Sequence, residues 1–317
     1  SPIRKPFDNF FLRRIRSDMK SYVRGAFCAL GCLLALAGCQ RTEKPAARTA
    51  AVQPEEQRYP LTGEIVGVDT ERHLLKVHHE DVPGLMPSMT MEFAASPGDI
   101  SLAKTGQRIR ADLVGDGKGN FHLERIWPDD RTAAAIMNAS AQALRQDTLI
   151  RGRSAYREVG EQLPEFALYD QTGQVVQSRK FQGKQIMLNF IYTRCPVVTM
   201  CPAATLNMMA AQRLAREAGV KNIEFVSVSF DSINDTPGVL KDYADARGID
   251  TSNFSFLTGP EGAIKDLLTQ FGVIAEFDGP IAKHTLATLL IDEQGKIIHR
   301  ADASGWDPKD FVAKMHR

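Results

Sequence analysis

Two cysteines stand with five residues between them in RCPVVTMCP, residues 194–202, and each is followed by proline. Thiols at that spacing can close a structural disulfide, cycle as a redox couple, or supply half of a soft-metal site. The gap matches neither the two-residue spacing of thioredoxin-type pairs nor the commonest zinc patterns. Pro202 suits a first helical position, which puts Cys201 near an N-cap, where unpaired amides and the helix dipole favour thiolate. Cys195 ends the apolar run before it, so the sulfurs meet only if residues 196–200 loop out. His284, in IAKHTLATLLID, precedes another apolar strand. It offers an imidazole as a third donor, or is simply a surface histidine at a strand entrance.

A second set of soft donors lies earlier, in HHEDVPGLMPSMTM, residues 78–91. Met89 and Met91 are two apart, so on a strand their thioethers share a face while Thr90 points away. His79 and Met86 precede them, on a strand end and a Pro/Gly loop able to fold over that face. Thioethers with an imidazole suit Cu(I) and have little use for Mg²⁺ or Ca²⁺. The other reading is that the methionines are core and the histidines surface.

These residues need a scaffold. From Tyr59 to Trp127 the stretches LTGEIVGVDT, HLLKVHHE, MTMEF, QRIRADLVGD and NFHLERIWP read as five short strands broken by Gly, Asp and Pro turns. In RIRADLV, residues 109, 111 and 113 share one face and the charged residues share the other. Five strands in so short a span predict a small all-β barrel of OB type, residues 59–128. Residues 129–159 are alanine-rich, and Ile136, Ala139 and Ala143 mark the apolar stripe of one linking helix. From residue 160 to 317 strand and helix signals alternate: a hairpin across Asp170–Gly173, the buried run KQIMLNFIYT, a helix from Pro202 with a stripe of Leu206, Met209, Ala210 and Leu214, and the buried strand IEFVSVSF. Helices then open at Pro237 and Pro260, a hairpin turns at Glu293–Gly295, and a last helix starts at Pro308. Cysteines at the end of a strand and the mouth of a helix predict a thioredoxin-like α/β domain.

Residues 1–38 are set apart. MKSYVRGAFCALGCLLALAGCQ has a basic start, an apolar run too short to span a bilayer and a small-residue region, the layout of a secretory signal. Leu36-Ala37-Gly38-Cys39 resembles a bacterial lipobox, which implies a lipid on Cys39 and a membrane anchor in the periplasm or another extracytoplasmic space. On this reading Met19 is the start, residues 1–18 are an upstream extension, and residues 39–58 are a polar tether. Cys28 and Cys32 then leave with the signal, so Cys195 and Cys201 are the free thiols of the exported chain. Removing residues 1–38 also leaves 32 Lys/Arg against 36 Asp/Glu, a net charge of about −4. That gives no reason to expect nucleic-acid binding.

Two resemblances sharpen this. Residues 59–127 resemble the CusF-like periplasmic copper/silver-binding domain, an OB barrel with a His … Trp-Pro-x-Met-Thr-Met signature. The resemblance implies His79, Met89 and Met91 as ligands, with Met86 standing where the family has a capping tryptophan. Residues from about Glu161 onward resemble the Sco (SenC/PrrC) family in the cysteine motif, FVSVSFDSINDTPGVLKDYA, FSFLTG and KHTLATLLIDEQGKIIHR. That resemblance implies a copper site of Cys195, Cys201 and His284, with Asp231 as the acidic residue beside it. The five-residue gap departs from the family's usual three. Together they imply an exported copper metallochaperone rather than an enzyme, with copper as Cu(I) or Cu(II) and a haem–copper oxidase subunit or other copper recipient as partner. Cu(I) would pass from the barrel methionines to the thiolates. The alternatives are a thiol-disulfide oxidoreductase that uses Cys195 and Cys201 as a redox-active pair, and a copper or silver sequestration protein.

Overall fold

The structure, a computed structural model, describes residues 57–152, 155–278 and 281–316. Cys39, the secretory signal and most of the polar tether lie outside the described residues. Five strands come first: β1 (Gln57–Asp69), β2 (Leu74–His79), β3 (Met89–Ala94), β4 (Arg108–Gly115) and β5 (Phe121–Pro128), with the short helix α1 (Pro97–Leu102) between β3 and β4. They bond in the order β1-β2-β3-β5-β4 and β4 returns to β1, so the sheet closes into a barrel without free edges. Alternation sets the inside. Ile109, Ala111 and Leu113 are buried while Arg108 and Arg110 face out, and Leu61, Ile65, Leu75, Val77 and Phe93 fill the rest of the core.

Helix α2 (Arg131–Arg151) follows, capped by the Asp130 carboxylate, which accepts from the amides of Thr132 and Ala133. Its buried stripe is Ala133, Met137, Ala141 and Leu144, whereas Ala139 and Ala143, expected inside, are exposed and Ile136 is half-buried. Ala141 and Leu144 join the core of the second sheet, so α2 braces that sheet.

That sheet has seven strands: β6 (Ala167–Asp170), β7 (Val175–Gln177), β8 (Gln185–Ile191), β9 (Ile223–Ser229), β10 (Phe254–Thr258), β13 (Thr288–Ile291) and β14 (Ile297–Ala301). The order is β14-β13-β8-β9-β10-β6-β7. The centre, β8-β9-β10, is parallel and the outer strands pair antiparallel. All seven residues of β8 are buried, as a run with no alternation requires. Helices α3 (Cys201–Glu217), α4 (Pro237–Ala246), α5 (Glu261–Gln270) and α6 (Pro308–Val312) cover the sheet, and a separate hairpin pairs β11 (Ala275–Asp278) with β12 (Ile281–His284). The expected stripe on α3 is corrected. Cys201, Ala204, Met208, Ala211 and Ala215 are buried, whereas Leu206 is 63% exposed. The small alanines let the helix sit close to the strands, which the larger Leu206 on the opposite face could not.

The barrel is fixed to the second sheet through α1 and α4. Gly98 of α1 and Gly238 of α4 meet so closely that a methyl on the first would overlap the Gly238 carbonyl, and one on the second would overlap the Asp99 carboxylate. Trp127, at the end of β5, stacks at a tilt against Tyr169 of β6, with centroids 6.2 Å apart. Asp99 is 7% exposed, and its carboxyl accepts from the Ser96 hydroxyl at 3.0 Å. Burial pushes it up to about 7. Asp242 pushes the same way, and the Ser96 bond opposes both.

A carboxyl raised in this way favours the packed arrangement fully below its ordinary range near 4, and the contribution fades as pH rises through about 7. The difference is on the order of 4 kcal/mol over the whole window. Thermal unfolding of the wild type between pH 5 and 8 should therefore show a falling midpoint. Asp99→Asn should remove most of that slope, and an unchanged slope in the variant would show that Asp99 is not its source.

Candidate metal centre

The first cluster forms where β8 and β9 end and α3 begins. Cys195, Cys201 and His284 each bring one donor atom, and the three atoms lie within 4.8 Å of one another. The Cys201 sulfur is 3.8 Å from His284 Nε2. Borderline-soft ions bind sulfur at about 2.3 Å and nitrogen at about 2.0 Å, so they bridge donors up to about 4.5 Å apart. The set is within a few tenths of an ångström of closing on one ion. Both cysteines are free thiols.

Each donor is held by the fold. Cys201 is the first residue of α3 and Pro202 the second, one position further into the helix than the sequence suggests. It is fully buried, and burial pushes its thiol well above the ordinary range, against the amide of Tyr192, which pulls it down. The stabilised thiolate expected from the helix dipole is thus overruled by desolvation, because the sulfur faces the core rather than water.

Residues 196–200 do loop out. Val198 is 75% exposed, while the Met200 amide donates to the Val197 carbonyl at 2.9 Å and the Ser304 hydroxyl donates to the Thr199 carbonyl at 2.6 Å. Met200 packs against the core. His284 ends β12. Its Nδ1 lies 3.2 Å from the Thr285 carbonyl, which only accepts, so the proton sits on Nδ1 and the Nε2 lone pair faces Cys201. Burial lowers its pKa, keeping the ring neutral and ready to ligate.

Residues the sequence did not single out complete the site. Tyr192 and Phe230, just past β8 and β9, sit 5.7 and 5.0 Å from the His284 ring, and Phe277 lies 5.5 Å from Tyr192. The aromatic ends of the two buried runs, FIYT and SVSF, were the available signal. Asp231 accepts from Arg194 at 2.6 Å and from the Asn234 side chain at 2.8 Å, so it grips the residue beside Cys195. Asp235 is the second acidic anchor. It accepts from the Thr193 amide at 2.9 Å and from the Thr193 and Ser229 hydroxyls, and burial pushes it up to about 6. Its clue was the capped helix start just after it, at Thr236-Pro237.

The second cluster is on the barrel. His79 pairs with Met89 and Val77 with Met91, so the register puts all four side chains on one face of the sheet. His79 is fully buried, its Nδ1 is 2.7 Å from the Glu80 carbonyl, and its Nε2 is buried with no hydrogen-bond partner. An orphaned imidazole nitrogen with its tautomer fixed in this way fits a metal ligand, and thioethers on the same face make the donor set soft. Met91 is half-buried against the barrel core and Met89 is 39% exposed. Met86 is bridged to Val82 in the loop between β2 and β3 and packs against the same core. His78 faces out toward Thr90.

Known proteins match both halves. A family model described as SCO1/SenC matches residues 154–317, and one described as the copper-binding periplasmic protein CusF matches residues 58–128. A SCO2-like protein of Rickettsia typhi is 31% identical over 140 residues, 42% of this chain and 66% of its own length. One from Rickettsia conorii is 30% identical over 157 residues, 47% and 74%. Among solved structures, a SCO1/SenC family lipoprotein from Bacillus anthracis aligns with a TM-score of 0.45 and 27% identity, covering 51% of this chain and 97% of that one. Copper-bound ScoI of Bradyrhizobium japonicum aligns at 0.41 and 25%, covering 49% and 96%.

Because the buried Cys201 thiol must lose its proton to ligate, Cu(I) affinity at this cluster should rise with pH. Between pH 6 and 8 the gain should be at least tenfold per unit, read by competition with a chromophoric Cu(I) chelator. A pH-independent affinity would mean that Cys201 does not bind as thiolate.

Proposed function

The chain belongs to the SCO1/SenC family, and on that premise we propose that it is an extracytoplasmic copper metallochaperone that delivers copper for the binuclear copper site of cytochrome c oxidase. The observation that carries the reading is the three-donor cluster of Cys195, Cys201 and His284 within 4.8 Å. Two thiolates and an imidazole hold Cu(I) in a low-coordinate site and also accept Cu(II). Copper is cargo here, so it has to leave as well as bind. One Sco protein of solved structure is described as a member of the Sco family of cytochrome c oxidase assembly proteins. We read the two domains as OB type and thioredoxin-like, which fits the barrel's strand order and the placement of both cysteines at the β8–α3 junction.

The residues divide the work. Cys195, Cys201 and His284 bind the ion, Asp231 and Asp235 hold the loop that carries Cys195, and Tyr192 and Phe230 fix the imidazole and keep water from its buried side. On the barrel, His79, Met89 and Met91 hold a second Cu(I), with Met86 as a further thioether near the loop. A lipid on Cys39 would keep the chain at the membrane where its recipient assembles. Among the described residues no helix is long and apolar enough to cross a membrane.

A thiol-disulfide oxidoreductase is the second reading, favoured by two free thiols close together. Complete burial of Cys201 weighs against it, since exchange requires a thiolate that a target disulfide can reach.

Titration should give two equivalents of Cu(I) in the wild type and one in Cys195→Ser/Cys201→Ser. Unchanged stoichiometry in that variant would contradict the site. Loss of the gene should lower assembled oxidase and leave copper tolerance intact, whereas copper sensitivity with normal oxidase would favour sequestration.

A further inference from the structure

The barrel's soft donors and the helix that mounts the barrel lie at opposite ends of one hairpin. On β2 and β3 the registered pairs run from His79–Met89 at one end to Leu74–Ala94 at the other. The ends are five residue steps apart along the strand, roughly 17 Å at about 3.4 Å per step. The chain leaves the far end straight into the mount: the Ala95 amide donates to the His73 carbonyl, and α1 begins at Pro97. There Ile65, Leu75 and Asp99 line one cleft together with Pro237 and Gly238 of α4.

The mounted end is also the one nearer the thiols. Gly238 lies three residues after Asp235, whose carboxylate binds the amide of Thr193, two residues before Cys195. The barrel therefore presents its closed end toward the cysteine loop, while its donor end opens elsewhere, with Met89 39% exposed. At Gly98 and Gly238 the two elements pack with no room for a side chain between them.

Resting on the reading that both clusters carry copper, we propose that copper passes between them in trans, from the barrel of one copy to Cys195, Cys201 and His284 of another. The step is ligand exchange. Bonds from Cu(I) to the thioethers and the His79 nitrogen break, and bonds to the two sulfurs and His284 Nε2 form. Each thiol that binds gives its proton to solvent, and the metal stays Cu(I). A second molecule can approach over the loop that follows Cys195, where Val198 is 75% exposed, and beside the half-buried His284. A relay within one chain would need the mount to come apart.

The test uses the full chain. With Cys195 and Cys201, whose sulfurs lie within 4.8 Å, joined by oxidation into an intramolecular disulfide, the barrel is loaded with one equivalent of Cu(I). The disulfide is then reduced with a phosphine, and copper arrival is followed by thiolate-to-copper ultraviolet absorbance over a tenfold range of protein concentration. The half-time should fall about tenfold across that range. A half-time independent of concentration would overturn the proposal, because it would place the transfer within one chain. Single-site controls separate the premises. If Met89→Ala/Met91→Ala and Cys195→Ser/Cys201→Ser each bind one Cu(I), a concentration-independent half-time refutes the route alone. If either binds none, the copper reading falls and the route falls with it.

Discussion

Burial of the Cys201 sulfur at the β8–α3 junction is the constraint on which the rest depends. A thiol with no solvent access cannot be charged cheaply, and its pKa rises accordingly. A helix N-terminus alone does not reverse that cost. A soft cation does, because it brings positive charge into direct contact with sulfur and replaces the proton. The surroundings are those that such an exchange would require: a neutral imidazole with its lone pair toward the sulfur, a second thiol on a loop, and acidic residues that hold that loop from behind.

The same division into a rigid side and a yielding side runs through the site. Cys201, Tyr192 and Phe230 belong to the core of the seven-stranded sheet. Cys195 sits on a segment whose next residues bulge into solvent, and His284 sits on a small hairpin outside the main sheet. The Thr285 amide and hydroxyl lock the base of that hairpin to Ile274. A site that must accept and release a metal needs such an arrangement, with one donor fixed and the others able to close by tenths of an ångström.

Much of the architecture was legible in the sequence because it follows from periodicity and turn residues. The five barrel segments, the uniformly apolar β8, the Thr236-Pro237 helix start and the Glu293–Gly295 turn each come from a local rule. The candidate donors stand out in the sequence because their types are rare and their spacing odd. What failed was the choice of helix face. On α2 and α3 alanine dominates, and alanine is apolar enough to sit on either side, so Leu206 and Ala139 were placed inward although the close approach of helix to sheet selects the alanine and Met208 face. Asp235 and the aromatic residues around His284 were not legible for a different reason: they meet through contacts between β8, β9 and the β11–β12 hairpin that are far apart in the chain. The tight mount of the barrel, which needs glycine on both α1 and α4, is also a matter of two distant residues meeting.

Whether Cys195, Cys201 and His284 bind copper together can be read directly. X-ray absorption on the Met89→Ala/Met91→Ala variant loaded with one equivalent of Cu(I) isolates that site from the barrel. Copper held by the three residues should show two sulfurs and one nitrogen as its nearest neighbours. Copper that is lost on desalting, or a shell without sulfur, would contradict it.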